Sequence, residues 1–139
     1  MISHIWSVLC ENSILDQDTK LISMINVLEE LTIPDDPAPD KVLQAVVSLV
    51  TLWARSDINV PSQGFARYAF TSPSGKVLES LEQSVDLTKY ERLRSRGRFA
   101  GLKLPEIGQY FFNIEFRENE QTEWIRVAAV PLKVNFAKE

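Results

Sequence analysis

The fold is constrained most by residues 108–117, in which apolar and polar side chains alternate. Large apolar residues occupy every second position: Tyr110, Phe112, Ile114 and Phe116. Because successive side chains of a β-strand point to opposite faces, this period of two predicts a strand with one buried face and one solvated face.

A turn signal joins two further strand-like segments. Residues 65–71 and 76–81 flank the sequence SPSG at 72–75, in which Pro73 presets one turn angle and Gly75 tolerates a positive φ. This arrangement predicts a hairpin.

Both ends of the chain also have extended patterns. Residues 2–9 alternate as a strand does and end at a turn-favouring cluster at 11–13. In residues 123–136 the apolar phase changes after Pro131, which predicts a bulge or a bend at that proline.

Periodicity leaves two segments ambiguous between strand and helix. Residues 20–31 fit an apolar helical stripe as well as a strand, and residues 41–55 are rich in β-branched side chains, which favours a long buried strand. Between them, residues 32–40 contain three prolines and three aspartates and predict a rigid surface loop.

The number and spacing of these segments indicate the fold class. Short strands separated by turns predict a mainly β chain, an antiparallel β-sandwich of about 7–9 strands that is immunoglobulin-like or similar. We expect residues 1–139 to form one domain, because this length suffices for a single core. The helix-compatible segments keep an α+β fold as the alternative.

Several features occur in the order seen in a known family: Lys20 and Leu21, the proline-rich loop at 34–39, the turn at 72–76, Gly108 to Tyr110, and residues 131–134. Over nearly its whole length the chain resembles this family of small uncharacterised bacterial proteins, a domain of unknown function with a predicted sandwich fold. The resemblance implies that 20–31 and 41–55 are strands. It implies no activity, cofactor or site.

Charge and cysteine content limit the classes of partner and the compartment. The formal net charge is −4, so attraction of nucleic acid or anionic lipid by overall charge is not expected. Cys10 is the only cysteine, which excludes an internal disulfide and fits a reducing compartment. The start lacks the basic leader of a signal peptide, and no apolar run approaches the roughly 20 residues that span a bilayer. We therefore expect a soluble cytoplasmic protein without membrane association.

Candidate catalytic groups are few. A nucleophile with a base would have to combine Cys10 with His4, the only histidine, yet their Cα atoms would lie roughly 20 Å apart in a strand and about 9 Å apart in a helix. One cysteine and one histidine cannot supply a typical zinc site, and no phosphate-binding glycine loop is present. We expect no catalytic residue and no cofactor, although scattered carboxylates such as Glu115 and Glu123 keep an enzyme as an alternative.

Calcium requires only oxygen ligands, which aspartates can supply. Asp16 with Asp18, or the loop residues Asp35, Asp36 and Asp40, are weak candidates for such a site. The competing interpretation is that these side chains cap turns and stay solvated.

The most distinctive polar pattern is a row of four arginines at every second position: Arg92, Arg94, Arg96 and Arg98. In a strand they share one face over roughly 20 Å. Residues 89–103 carry six basic residues and one acidic residue, a net charge of +5, so the rest of the chain carries −9. The row predicts either a binding face for phosphate groups or an acidic partner, or a solvated face whose arginines pair with neighbouring glutamates.

The aromatic residues have a structural interpretation. We expect the following residues to fill the layer between two sheets rather than to line a ligand pocket: Trp6, Trp53, Tyr68, Tyr110, Phe111, Phe112 and Trp124.

Together these patterns favour a non-enzymatic interaction or accessory module that presents its loops or the arginine-bearing strand to a protein partner. The alternative is a binder of anions or nucleic acid that uses residues 92–98. Pairing of exposed strands between subunits also predicts a homodimer.

Overall fold

The computed structural model describes residues 1–34, 38 and 40–137, and these residues form nine strands without a helix. The strands are β1 (Ile2–Leu15), β2 (Ile22–Val27), β3 (Glu30–Ile33), β4 (Val42–Arg55), β5 (Ser62–Thr71), β6 (Val77–Leu87), β7 (Arg92–Lys103), β8 (Gly108–Arg117) and β9 (Ile125–Phe136). They make a four-stranded sheet in the order β2-β1-β4-β7 and a five-stranded sheet in the order β3-β9-β8-β5-β6. The predicted mainly β sandwich is confirmed, and the α+β alternative is wrong.

All strand pairs are antiparallel except β3 with β9. The two hairpins β5–β6 and β8–β9 stand side by side in the five-stranded sheet through the β5–β8 pair. No helix in the described part of the chain is long and apolar enough to cross a membrane.

The first strand is longer than its sequence indicates. β1 continues to Leu15 through the cluster at 11–13, because Asn12 and Ser13 pair with Ile25 and Met24 of β2. The expected stop at this cluster is therefore wrong: pairing with a neighbouring strand outweighs the local preference of Asn and Ser for turns.

The two ambiguous segments are both extended. Residues 41–55 form the single strand β4, whereas residues 20–31 divide between β2 and β3, which belong to different sheets. A positive φ of 56° at Asn26 lies just before the chain leaves β2. Strand is the right assignment for both segments, but one continuous strand over 20–31 is wrong.

The irregularity in β9 lies at Val127 and not at Pro131. Ile114 pairs with Ala128 and the next residue, Glu115, pairs with Arg126, so Val127 is the extra residue of a bulge. From Ala128 onward every second residue packs on the core, and Pro131 keeps that phase on the outer side. Pro131 lies before the part of β9 that pairs with β3. At this position, which β3 does not reach, the missing N–H of proline is tolerated.

The core between the sheets is aromatic at its centre. Trp53, which is fully buried, donates its Nε1–H to the Tyr68 hydroxyl at 3.3 Å, and that hydroxyl lies 2.7 Å from Ser95 Oγ. Packing between the sheets is confirmed for Trp53, Tyr68, Tyr110 and Phe112 and is wrong for Trp6, Phe111 and Trp124, which lie outside the core.

The β1–β2 hairpin folds over the outer face of the four-stranded sheet. Cys10 of β1 and Val50 of β4 stand on this outer face, yet both have an exposure of 0%. Arg94 and Arg96 of β7 contact the far part of the hairpin, at Lys20 and Ser13, so the hairpin crosses β4 on this side of the sheet. We infer that this crossing covers Cys10 and Val50. Part of one outer face of the sandwich is thus covered by the chain itself.

Candidate functional site

The four arginines of the predicted row lie on the outer side of β7. They pair in unbroken register with Ala54, Leu52, Val50 and Ser48 of β4, so no bulge changes their direction. Gly97 and Phe99, at the alternate positions, are buried. The alternation therefore brings the row together as the sequence predicted.

The two central arginines of the row hold the β1–β2 hairpin in place. Arg94 donates from Nη2 to the carbonyl oxygen of Lys20, at the tip of the hairpin. Arg96 Nη1 lies 3.5 Å from both the carbonyl oxygen and the hydroxyl of Ser13. Two of the four arginines therefore stabilise the position of the hairpin.

The outer two arginines differ from the central pair. Within the described residues, Arg92 and Arg98 form no hydrogen bond or ion pair, and at strand rise they are roughly 20 Å apart. The expected pairing of the row with glutamates is wrong, because the partners of Arg94 and Arg96 are backbone oxygens and the Ser13 hydroxyl. Anion binding by Arg92 and Arg98 stays a prediction.

Cys10 and His4 have separate partners. The Cys10 thiol contacts the Ser48 carbonyl oxygen at 3.7 Å, whereas His4 Nε2 lies 2.8 Å from Ser7 Oγ. Burial raises the pKa of the Cys10 thiol and lowers the pKa of the His4 imidazole. Neither these pKa shifts nor these contacts prepare Cys10 as a thiolate nucleophile with His4 as its base.

Asp16 caps a turn. Its Oδ1 accepts the N–H groups of Thr19 and Asp18 at 3.0 and 2.9 Å, and these bonds lower the pKa of its carboxyl group. Among residues 1–34, 38 and 40–137, no group of three or more His, Cys, Asp or Glu side chains could hold a metal ion. Of the other calcium candidates, Asp40 is described and exposed, and Asp35 and Asp36 lie outside the described residues.

A second polar cluster lies on the outer face of the five-stranded sheet. Cross-strand register places four charged residues side by side, and we call them the charged row: Glu82 of β6, Arg67 of β5, Glu115 of β8 and Arg126 of β9. Their signs alternate across the four strands. Opposite charges on directly neighbouring strands stabilise a sheet by roughly 0.2–1 kcal/mol per pair.

The central pair of the charged row is bidentate. Arg67 Nε and Nη2 donate to the two carboxylate oxygens of Glu115, both at 3.0 Å. The hydrogen bond to Glu115 raises the pKa of Arg67. This pair occupies the carboxylate of Glu115, one of the two carboxylates named for an enzymatic alternative, whereas the other, Glu123, is exposed.

Trp124 packs beside this pair between two guanidinium groups. The Cζ atoms of Arg67 and Arg117 lie 4.5 and 4.4 Å from the centre of its ring. Arg117 Cζ also lies 6.0 Å from the ring of Phe65, and its Nε is buried without a hydrogen-bond partner among the described residues. Stacking of each guanidinium on an aromatic ring contributes about 0.5–1 kcal/mol.

Next to the charged row the same face is apolar. We call four exposed residues the apolar strip: Phe111 of β8 with Val127, Ala129 and Pro131 of β9. Phe111 is 37% exposed and Val127 is 40% exposed. A groove of about 530 Å³ runs between this strip and the turn at Pro73 and Gly75.

Sequence reasoning missed this face. Arg67, Glu115 and Arg117 stand at outward positions of strands that were predicted, so the period of two contained part of the signal. The missing information was the order of the strands, since β5 and β8 are neighbours in space and distant in sequence.

Comparison with known proteins adds no family to these observations: no family model matches the chain, and a search of curated proteins gave no significant match. The resemblance to the family of small bacterial proteins therefore stays a prediction.

Proposed function

We propose that this chain is a non-enzymatic interaction module that binds a protein through the outer face of its five-stranded sheet. The observation that supports this proposal is the apolar strip beside the charged row. Single exposed apolar side chains are common on protein surfaces, whereas contiguous ones mark interaction surfaces.

The residue composition of this face resembles that of protein–protein interfaces. Such interfaces have an apolar centre and a polar rim, and aromatic and arginine residues supply most of the binding energy. Here Phe111 and Val127 supply exposed apolar area, and the stacked Arg67, Arg117 and Trp124 supply large side chains held in position. Because these side chains are already ordered, little conformational entropy is lost when a partner binds.

The other outer face is a weaker candidate for the same role. The β1–β2 hairpin covers part of it, and two of its four row arginines bind that hairpin. A partner would have to compete with these contacts.

We also propose a reducing compartment such as the cytoplasm, which suits the buried free thiol of Cys10. Fractionation of the native cells tests this location.

Site-specific photo-crosslinking tests the proposed face. Phe111 is replaced by benzoylphenylalanine, and the matched control carries the same group at Tyr90, an exposed aromatic residue between β6 and β7. In native lysate we expect a discrete adduct from position 111 and none of the same mass from position 90. The purified partner should then bind the wild-type chain, and Val127→Glu should weaken that binding at least tenfold. Equal adducts at both positions, or no adduct at 111, would contradict the proposal.

A second candidate function is supported by Arg92 and Arg98, which form no hydrogen bond or ion pair in the described part of the chain. A phosphate-rich ligand that bridged them would bind less tightly as salt rises, because guanidinium contacts to phosphate release counterions. Titration of a single-stranded oligonucleotide at low and physiological salt, with the double variant Arg92→Ser and Arg98→Ser as control, tests this candidate. Binding that is equal in the wild type and the variant removes it.

A further inference from the structure

We infer that the protein bound at the outer face of the five-stranded sheet is a second copy of this chain. The two copies pack face to face and are related by a two-fold axis. This axis lies in the plane between the two copies, parallel to β5 and β8 and above the line midway between these two strands. This inference rests on the proposed function, because it uses the same face, and it names the partner.

The charged row is complementary to itself about this axis. Read from β6 to β9, its signs are negative, positive, negative and positive. The rotation reverses the order of the strands in the second copy, so Glu82 meets Arg126 of that copy and Arg67 meets Glu115 of that copy. A two-fold axis perpendicular to the strands would instead oppose like charges, which is unfavourable. The charges thus select one orientation.

The outer members of the row carry this selectivity. Arg67 and Glu115 already bind each other within one chain, at 3.0 Å. Glu82 and Arg126 are both exposed, and neither forms a hydrogen bond or an ion pair within the described residues. The charge of Glu82 acts on Arg67 of its own chain, but the hydrogen-bonding groups of both outer residues are left for the opposite charge on the second copy.

The remaining rows of the face match about the same axis. Phe65 and Arg117 are register partners, so Phe65 meets Arg117 of the second copy, an aromatic ring against a guanidinium. Thr71 meets Phe111 of the second copy, because the two residues share a register position on β5 and β8. Ala69 is only 5% exposed, so it adds no protruding side chain between these rows. In the row of Thr71 and Phe111 a smaller residue opposes a larger one, which permits close packing.

The area of the face determines the expected strength. Four strands spaced about 4.8 Å apart and four rows along them give a footprint of roughly 15 by 20 Å. Sheet twist brings the central strands β5 and β8 closest and separates the corners. This is small compared with the roughly 800 Å² that each partner buries in a stable complex, so we expect a weak dimer that forms at high protein concentration and low salt.

Sedimentation velocity with charge-exchange variants tests the inference. We expect the wild-type chain to dimerise with rising concentration and to dissociate in high salt. Arg126→Glu places a carboxylate opposite Glu82 of the second copy, and Glu82→Arg places a guanidinium opposite Arg126, so each single variant should dimerise at least fivefold more weakly. A mixture of the two single variants should restore association, because each mutated residue then meets an opposite charge. Glu79→Arg is the control. Glu79 is exposed, but it pairs with the core residue Phe70 and so does not belong to the outer face that carries Glu82; this variant should dimerise like the wild type.

The outcomes separate this inference from the proposed function. A chain that stays monomeric at all concentrations, or single variants that dimerise as well as the wild type, overturns the second copy as partner. An adduct from position 111 with a different protein would still uphold the binding face. Thermal unfolding of each single variant establishes that it folds, and a heterodimer from the mixture cannot arise from unfolded chains.

Discussion

Arg96 of β7 contacts Ser13 of β1 across the intervening strand β4, with its Nη1 3.5 Å from both the carbonyl oxygen and the hydroxyl of that serine. The contact connects an exposed arginine row to a hairpin that covers the buried Cys10. An arginine pattern that suggests ligand binding thus also stabilises the fold.

Loss of the two hairpin contacts should expose Cys10. In the double variant Arg94→Ala and Arg96→Ala, we expect the hairpin to open more often, because hydrogen bonds from each guanidinium to the hairpin are removed. A loss of about 1.4 kcal/mol corresponds to labelling of the Cys10 thiol about tenfold faster. Thiol-reagent kinetics measure this rate. Arg98→Ala is the control and should label like the wild type; equal rates for all three proteins would show that the arginines do not hold the hairpin.

Stability should depend on pH through His4. Burial lowers the pKa of His4 in the folded state below its ordinary value of 6.5. The unfolded chain then takes up a proton at a higher pH than the folded chain, so stability is complete above about pH 6.5 and declines as the pH falls through that value. The slope is at most about 1.4 kcal/mol per pH unit.

Urea unfolding between pH 7.5 and 5 measures this slope. His4→Gln removes the titrating group and should flatten the curve over that interval. The lowered pKa values of Asp16 and Asp86 act in a separate window, below their ordinary value of 3.8. A slope that persists in His4→Gln would assign the effect to another group.

The backbone at Gly64 leaves no room for a side chain. A Cβ atom there would lie 2.3 Å from Phe116 Cζ and 2.8 Å from the carbonyl oxygen of Arg117. We expect Gly64→Ala to lower the free energy of unfolding by about 1–3 kcal/mol, because β5 and β8 must separate to relieve the overlap. Gly75→Ala is the comparison: apart from its chain neighbours, no atom of the described residues lies within 4 Å of the added Cβ, so this variant reports only the strain of a φ of 92°. Chemical denaturation distinguishes them, and an equal loss in both would refute the steric explanation.

The Tyr68 hydroxyl should matter more than the Ser95 hydroxyl. Tyr68→Phe removes the acceptor of the Trp53 Nε1–H at a fully buried position, and an unpaired buried donor costs about 1–3 kcal/mol. Ser95→Ala keeps the bond between Trp53 and Tyr68 and should cost less. Equilibrium unfolding monitored by tryptophan fluorescence compares the two variants, and a Tyr68→Phe protein as stable as the wild type would disprove this role.

Much of the secondary structure was predictable, because the period of two is a local property of the chain. The alternation in Gly108–Arg117 predicted the bounds of β8, and the SPSG turn predicted the β5–β6 hairpin. Predictions failed where pairing with another strand determined the result. β1 passes through turn-favouring residues because β2 pairs with them, and the bulge of β9 lies at Val127, where pairing with β8 shifts, and not at Pro131.

The sequence by itself determined the alternation of inward and outward side chains along β7 and β8, including the shared side of the four arginines on β7. Only the tertiary structure decided what each outward side chain meets. Arg94 and Arg96 meet the β1–β2 hairpin, and Arg67 meets Glu115 and Trp124, because chain folding places strands side by side that are far apart in sequence. Alternation is set by backbone geometry within one strand, whereas these contacts depend on the order of strands in the two sheets.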